Sequence, residues 1–179
     1  RTMEGRCAVL CRNLEMSMRW VRRDVLSHSL WIRATPEQVF AFLTGVVDDA
    51  TYRAWHPGEH LSLQWVKGEP WRVGSVLYAT ERLGGRLRKM TLRVTRVIPG
   101  RRIDLAPLSR FQRRYAPRNT YAVRPEADGC RLTLTLHLRL PLPLRLLARA
   151  MLDRRLAAAK RHMVEEAEHL KHRLEGPEG

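Results

Sequence analysis

The sequence predicts one α+β domain, in which a curved antiparallel sheet of about seven strands wraps around a long C-terminal helix. The length of 179 residues suits a single domain with one core. From about residue 61 to residue 140, apolar and polar residues alternate with the period of strands. Residues that favour turns separate these segments at Gly84-Gly85, Pro99-Gly100 and Ala127-Asp128-Gly129. The last segment instead spaces its apolar residues three and four apart, which is typical of a helix with one buried face.

The first predicted strand covers residues 25–33, and two short helices follow it. Thr35 is a suitable helix cap, Pro36 fits the first turn, and Gln38 completes a capping box three residues after the cap. The second short helix is predicted over residues 48–55. Both helices therefore lie between the first strand and the rest of the sheet.

The remaining strands are predicted near residues 61–66, 73–82, 86–98, 102–105, 119–124 and 130–140. The last of them has the clearest pattern, because leucines at every second position from Leu132 to Leu140 face one way and polar residues face the other. After Pro141 and Pro143, one long helix is predicted to run to about Leu174. Its apolar stripe would pack against the leucine face of the sheet.

The predicted domain spans residues 25–174, with a basic N-terminal extension at residues 1–24 and a short tail at residues 175–179. The three cysteines, Cys7, Cys11 and Cys130, are odd in number and lack CxxC spacing, which favours a reducing compartment. Arginine interrupts every apolar run well before the roughly 18 residues that a membrane span needs. We therefore expect a cytoplasmic protein without a membrane span.

The chain is strongly basic, with 33 Lys+Arg against 18 Asp+Glu and a net charge of +15. Such a charge attracts anionic partners at long range. The basic residues are dispersed through the chain, whereas nucleic-acid-binding proteins concentrate them on one face. An RNA-binding or anionic-surface function is therefore the least favoured hypothesis. It would use the basic and aromatic residues Arg110, Phe111, Arg113, Arg114, Tyr115 and Arg118, together with Arg19, Arg22 and Arg23.

The C-terminal helix carries a pair of candidate metal ligands, His162 and Glu166. At 100 degrees per residue both lie on the same side of the apolar stripe, one turn apart, whereas Glu165 points almost the opposite way, to water. A histidine and a carboxylate at positions i and i+4 can hold one cation. The alternative is a solvated helix face, because this segment is rich in charged residues.

A third candidate ligand, Glu81, is predicted to face the same interior. The turn at Gly84-Gly85 pairs Glu81 with Arg88 and places it on a strand face of apolar residues, Leu77, Ala79, Met90 and Leu92. A buried carboxylate without a partner costs several kcal/mol, so Glu81 needs a cation. That cation is either a metal ion or the guanidinium of Arg88.

His56 and His60 bracket a Pro-Gly-Glu segment just after the second short helix. Two imidazoles four residues apart suit a zinc-type ion. The alternative is that one or both pack at the surface. The other histidines, His28, His137, His169 and His172, show no ligand pattern.

The order of elements resembles that of the START-like, Bet v 1-like superfamily of helix-grip domains, over about residues 25–174. That resemblance implies a cavity between the sheet and the long helix that binds small apolar or phenolic molecules. The domain would then be a carrier or a cyclase-like binding domain without enzymatic chemistry of its own, or an enzyme. No glycine-rich phosphate loop or nucleophile motif favours a nucleotide enzyme or a Ser/Cys hydrolase.

Three separated segments, WHPGEH, ERLGGRL and HMVEEAEHL, resemble the diacetylphloroglucinol and phloretin hydrolases. The resemblance implies a Zn²⁺ site with ligands Glu81, His162, Glu166 and one histidine from the first segment, either His56 or His60. It also implies hydrolysis of a carbon–carbon bond between an acyl group and a phenolic ring or enol. It further implies a catalytic role for Tyr52, near the first histidine. Catalysis needs an open metal position, and we expect Glu81 to be the catalytic ligand that moves aside when substrate arrives, because it lies at a strand end beside a glycine turn.

Overall fold

A computed structural model describes residues 21–176 of the chain. The N-terminal residues 1–20, with Cys7 and Cys11, and the tail residues 177–179 lie outside the described part. The elements follow one another as β1 (Val21–Ile32), α1 (Pro36–Thr44), α2 (Asp49–Trp55), β2 (His60–Lys67), β3 (Val76–Leu83), β4 (Arg86–Ile98), β5 (Arg102–Pro107), α3 (Arg110–Tyr115), β6 (Arg118–Glu126), β7 (Gly129–Pro141), α4 (Leu142–Leu147) and α5 (Arg149–Glu175).

The seven strands form one antiparallel sheet in the order β1-β7-β6-β5-β4-β3-β2. The sheet is curved, and α5 packs across its concave face against β1, β3 and β7. This arrangement confirms the predicted helix-grip fold. The core lies between sheet and helix and includes Ile32, Ile103, Leu132 and Leu170, all essentially inaccessible to solvent.

The two short helices begin where the sequence predicts. Thr35 caps α1 with its hydroxyl while the Gln38 side chain accepts from the Thr35 backbone amide, and Asp48 and Thr51 make the same reciprocal pair at α2. Such boxes satisfy backbone amides that have no partner within the helix. The α2 helix is thereby fixed next to β2, where Asp49 also accepts a hydrogen bond from the Leu63 amide.

The β3–β4 hairpin has the predicted register, with Glu81 opposite Arg88 and Ala79 opposite Met90. Gly84 and Gly85 both have positive φ, as the two-residue turn requires. The alternation of β7 is also confirmed, because Leu132, Leu134, Leu138 and Leu140 are buried. The concave face therefore carries the apolar residues of each of these strands.

The structure differs from the sequence prediction in three places. The first strand begins at Val21, so residues 21–24 of the predicted extension pair with β7. The single long helix predicted after Pro141 is wrong, since α4 ends at Leu147 and α5 begins after Ala148, which has a non-helical backbone. The short helix α3 was not predicted, because its sequence has little apolar periodicity and none of its residues is buried.

Candidate functional site

The helix α5 presents His162 and Glu166 to the interior. Both are buried, and Glu165 between them is half-exposed. Ala167 and Leu170, on the same apolar stripe, are inaccessible to solvent and hold the helix against the sheet. The solvated-face alternative for the His162 and Glu166 pair is therefore wrong.

Glu81 lies on the concave face of β3, where the hairpin register predicted it. The residue is 8% exposed, and its Oε1 atom accepts a short hydrogen bond from the hydroxyl of Tyr52. No ion pair joins Glu81 to Arg88 within residues 21–176, although the two are cross-strand neighbours. The partner of Glu81 is thus the phenol of Tyr52, on α2, and not the guanidinium of Arg88.

The turn between α2 and β2 places His56, Glu59 and His60 close together. The amides of Glu59 and His60 both donate to the carbonyl oxygen of His56, which closes the chain tightly after Trp55. His60 has no solvent exposure, and its ring stacks on that of Tyr52 with centroids 3.8 Å apart. Both histidines are buried, so the surface-packing alternative is wrong for each of them.

Four side chains meet at one point of the interior. The Nε2 atom of His60 lies 3.2 Å from Oε1 of Glu166, and Nε2 of His162 lies 3.5 Å from the same oxygen. The Nε2 atom of His162 is also 3.9 Å from Oε2 of Glu81. Ligand atoms about 2.0–2.1 Å from a tetrahedral zinc ion are roughly 3.3 Å from one another, so these separations are close to those of a metal coordination shell.

The outer nitrogens of both histidines are already hydrogen-bonded. Nδ1 of His60 donates to the carbonyl oxygen of Tyr52 over 3.0 Å, and Nδ1 of His162 donates to Oε2 of Glu59 over 2.6 Å. In a neutral imidazole the other nitrogen then carries a lone pair. Nε2 of His60 is buried and has no hydrogen-bond partner among residues 21–176, despite its proximity to the Glu166 carboxylate. The lone pair on Nε2 of His60 therefore faces a lone pair on Oε1 of Glu166, and this arrangement requires a proton or a metal cation between the two atoms.

The local electrostatics also favour a cation at this point. Burial lowers the pKa of His162, but the carboxylates of Glu166 and Glu81 outweigh it, so the pKa is raised above its usual value. Burial raises the pKa of Glu166, but His162 and His60 outweigh it, so the pKa is lowered. The pKa of the Tyr52 hydroxyl is raised, first by burial and then by the charge of Glu81. Tyr52 is therefore a protonated phenol at neutral pH.

His56 occupies a different place from His60. Its Nε2 atom lies 3.2 Å from Oε2 of Glu165, and its Nδ1 is buried without a hydrogen-bond partner in the described part of the chain. One nitrogen of His56, an oxygen of Glu59 and a nitrogen of His162 lie within 4.8 Å of one another. A second set within the same limit, which shares His162, consists of His60, Glu81 and His162. His60 therefore lies next to the carboxylates of Glu81 and Glu166, whereas His56 lies on the side of His162 that faces Glu59.

Three residues of this region were not singled out from the sequence. Glu59 is the carboxylate that bonds to His162, and only its position within the WHPGEH segment could have suggested a role. His169, which was set aside, packs edge-on against His56 with centroids 4.7 Å apart. Tyr121, on β6, lines the cavity, and burial followed by the charges of Glu166 and Glu81 raises the pKa of its hydroxyl.

A cavity extends from the four converging side chains between α5 and the concave face of the sheet. Tyr52, Glu81, His162 and Glu166 form one part of its wall. Most of the remaining wall is apolar, as expected for a site that binds small organic molecules. These apolar residues include Val46, Trp55, Leu63, Trp71, Leu77, Ala79, Met90, Leu92, Leu105, Leu134 and Met163.

Comparison with known proteins gives this architecture a family. The sequence profile of the family described as polyketide cyclase / dehydrase and lipid transport matches residues 24–175. The chain belongs to this family. No curated protein matches the chain at a significant level. Within the part of the chain that the structure describes, no helix combines the length and apolar character needed to cross a membrane.

Solved structures with the same fold are distant in sequence. Norcoclaurine synthase from Thalictrum flavum, solved with dopamine and hydroxybenzaldehyde, matches with a TM-score of 0.68 at 12% identity over 89% of this chain and 91% of that one. The KanY protein matches with a TM-score of 0.63 at 15% identity over 87% and 99%. The protein TTHA0849 from Thermus thermophilus matches with a TM-score of 0.63 at 17% identity over 84% and 97%. These likenesses establish the fold alone.

Proposed function

We propose that this member of the family is a zinc-dependent hydrolase that cleaves the carbon–carbon bond between an acyl group and a phenolic ring or enol. The observation that carries the proposal is the orientation of His60 and His162. Each has its Nδ1 hydrogen bond satisfied by an outer acceptor and directs its Nε2 towards the carboxylates of Glu81 and Glu166. Zinc-ligating histidines commonly have such an outer acceptor, which fixes their tautomer.

The donor set fits a zinc ion in type and charge. Two imidazole nitrogens and two carboxylates are ligands that zinc accepts, and their two negative charges balance a divalent ion. A divalent zinc ion supplies Lewis acidity towards a carbonyl oxygen and lowers the pKa of a water molecule. His60, Glu81, His162 and Glu166 are the residues we assign to hold it.

With zinc held by these four residues, one of them would have to leave room for substrate or water, because catalytic zinc sites keep an open position. We assign this role to Glu81, which lies near the glycine turn of the β3–β4 hairpin, whereas Glu166 is held by the packing of α5. The hydroxyl of Tyr52 donates to Oε1 of Glu81, so it can keep that carboxylate oriented after it moves. In the overall reaction water gives its oxygen to the acyl carbon and a proton to the ring carbon. The bond between those carbons breaks, and a carboxylic acid and a deacylated phenol leave.

A second candidate function is a metal-free binding or cyclase-like domain for a small apolar ligand. The family description names cyclases, dehydrases and lipid transport, and the largely apolar cavity suits any of them. In this case the facing lone pairs of His60 and Glu166 would share a proton instead of a metal ion. The two candidates differ in whether the protein needs metal and whether it turns substrate over.

The test is an assay of acetate release from an acetylated phloroglucinol, with the deacylated phenol measured in parallel. We expect turnover by the purified protein, its loss after treatment with a chelator and its recovery when zinc is restored. His162→Ala should be inactive, and His172→Ala should be active because His172 is exposed near the end of the same helix. Ligand binding without turnover by zinc-loaded protein, across a panel of acylphenols and acyl enols, would instead favour the binding-domain candidate.

A further inference from the structure

One residue of the cavity wall differs from all the others in charge and exposure. Arg88, on β4, is the single Lys or Arg among the residues that line the cavity within the described chain, and it is also the single exposed one. On the wall its cross-strand neighbour is Glu81, and Met90 is the next residue of β4 on the same face. The cavity therefore joins the acidic centre at Glu81 and Glu166 to a cation that reaches solvent.

The charge of Arg88 has no protein partner in the described chain. Its cross-strand neighbour Glu81 accepts from Tyr52 and faces His162 instead, and no ion pair of Arg88 falls within 4.0 Å among residues 21–176. An exposed guanidinium retains its hydration and is free to bind an anion. Its planar fork matches the two oxygens of a carboxylate in a bidentate pair.

A second arginine lies on the part of α5 that contacts the β3–β4 turn. The β3–β4 turn contacts α5 so closely that a Cβ placed on Gly84 would lie 3.0 Å from Cβ of Ala158. Arg155, on α5, is exposed and precedes His162 by two helical turns, which places both on the same side of the helix. The acid nearest to Arg155 in sequence, Asp153, lies 3.9 Å from Arg149. Arg155 is therefore an exposed cation one helical turn before Ala158, where α5 contacts the β3–β4 turn.

We propose that Arg88 binds a carboxylate of the ligand, so that the molecule in the cavity is an aromatic or enolic acid and not a neutral acylphenol. The acid group lies at Arg88, the apolar body lies along Met90 and the other apolar wall residues, and the acyl group reaches His162 and its partners. The position of the acyl group rests on the proposed function. The pairing of the carboxylate with Arg88 does not depend on hydrolysis, because it requires only that the cavity binds the ligand.

The test compares a hydroxyacetophenone that carries a ring carboxylate with its methyl ester, in chelator-treated and in zinc-loaded protein. Binding is measured by calorimetry, which does not require turnover. We expect the wild-type protein to bind the acid at least about 10-fold more tightly than the ester, a typical effect for one charge-assisted pair. Arg88→Ala should remove this preference and leave ester binding within about twofold, and Arg88→Lys should restore part of it.

Arg93→Ala is the matched control, because Arg93 is an exposed arginine on the opposite face of the same strand. It should keep the preference for the acid. Equal binding of acid and ester by the wild type, no binding of the acid, or an equal loss of both ligands in Arg88→Ala would overturn the proposal. A preference for the acid that depends on Arg88, together with no turnover of either ligand by zinc-loaded protein, would retain the role of Arg88 and count against the hydrolase alone.

Discussion

The Nδ1 atom of His162 lies 2.6 Å from Oε2 of Glu59, on the edge of the ring opposite to the nitrogen that faces Glu81 and Glu166. This contact joins the turn after α2 to the C-terminal helix. It fixes the rotation of the imidazole and the position of its proton. Glu59 thus sets the orientation of His162 from the side away from Glu81 and Glu166. Substitution of Glu59 tests this role.

Substitution of Glu59 should weaken metal binding without removing a ligand. We expect Glu59→Ala to lower zinc affinity by about 10- to 100-fold, because His162 loses its orienting acceptor. Glu59→Gln keeps an acceptor oxygen and should have a smaller effect. Competition with a chromogenic chelator measures both affinities. Glu69→Ala is the control, since Glu69 is exposed and contacts Arg72. Wild-type zinc affinity in Glu59→Ala would contradict an orienting role.

The two histidines of the WHPGEH segment should differ in their effect on metal binding. His60→Ala removes the nitrogen that faces Glu166 and should lower zinc affinity by about 100-fold or more, whereas His56→Ala should change it by less than about 10-fold. Calorimetric titration of the metal-free proteins distinguishes them. The reverse order of effects would assign the ligand to His56.

Tyr52→Phe tests the phenol that donates to Glu81. The phenylalanine ring can still stack on His60, so the substitution removes the hydroxyl and little else. We expect full zinc content, and turnover about 100-fold slower if the hydroxyl positions the moving carboxylate or holds a reacting proton. The readout is kcat and KM on the acylphenol together with metal content. Unchanged kcat with normal zinc would remove Tyr52 from the mechanism.

The packing of α5 against the sheet can be tested at Leu170, which has no solvent exposure. Leu170→Ala should lower the free energy of unfolding by about 2–5 kcal/mol, because it removes buried methyl groups and leaves a cavity. Leu147→Ala removes the same atoms at a position that is 89% exposed and should change stability by less than about 0.5 kcal/mol. Denaturant unfolding of the metal-free proteins gives both values. Similar values for the two variants would contradict the packing of α5.

Much of the fold could be predicted from local sequence signals. The capping box at Thr35, the Gly84-Gly85 turn and the alternation of β7 each fix structure over a few residues. The prediction was wrong where local signals are weak. The break at Ala148 lies between two segments of high helix propensity, so only packing defines where α4 ends and α5 begins. The early start of β1 depends on pairing with β7, which is distant in sequence.

The candidate site could be predicted in part. Helical periodicity placed His162 and Glu166 on one side of a helix, and hairpin register placed Glu81 on the interior face. Two choices depend on how α2 packs against β2 and α5. One is between His56 and His60 as the residue that faces Glu166, and the other is between Arg88 and Tyr52 as the partner of Glu81. No local pattern encodes that packing. The structure places Tyr52 on Glu81 and Glu59 on His162 through contacts between residues far apart in the chain.

The most direct test of the central proposal is the metal content of the native protein, measured by elemental mass spectrometry after desalting. We predict about one zinc ion per chain in the wild type and in His172→Ala. We predict little or none in His60→Ala and His162→Ala, with circular dichroism and thermal unfolding used to show that these variants are folded. Absence of metal from the wild type, even after incubation with zinc and removal of the excess, would contradict the proposed metal site. It would leave a cavity in which protons alone join the histidines to the carboxylates.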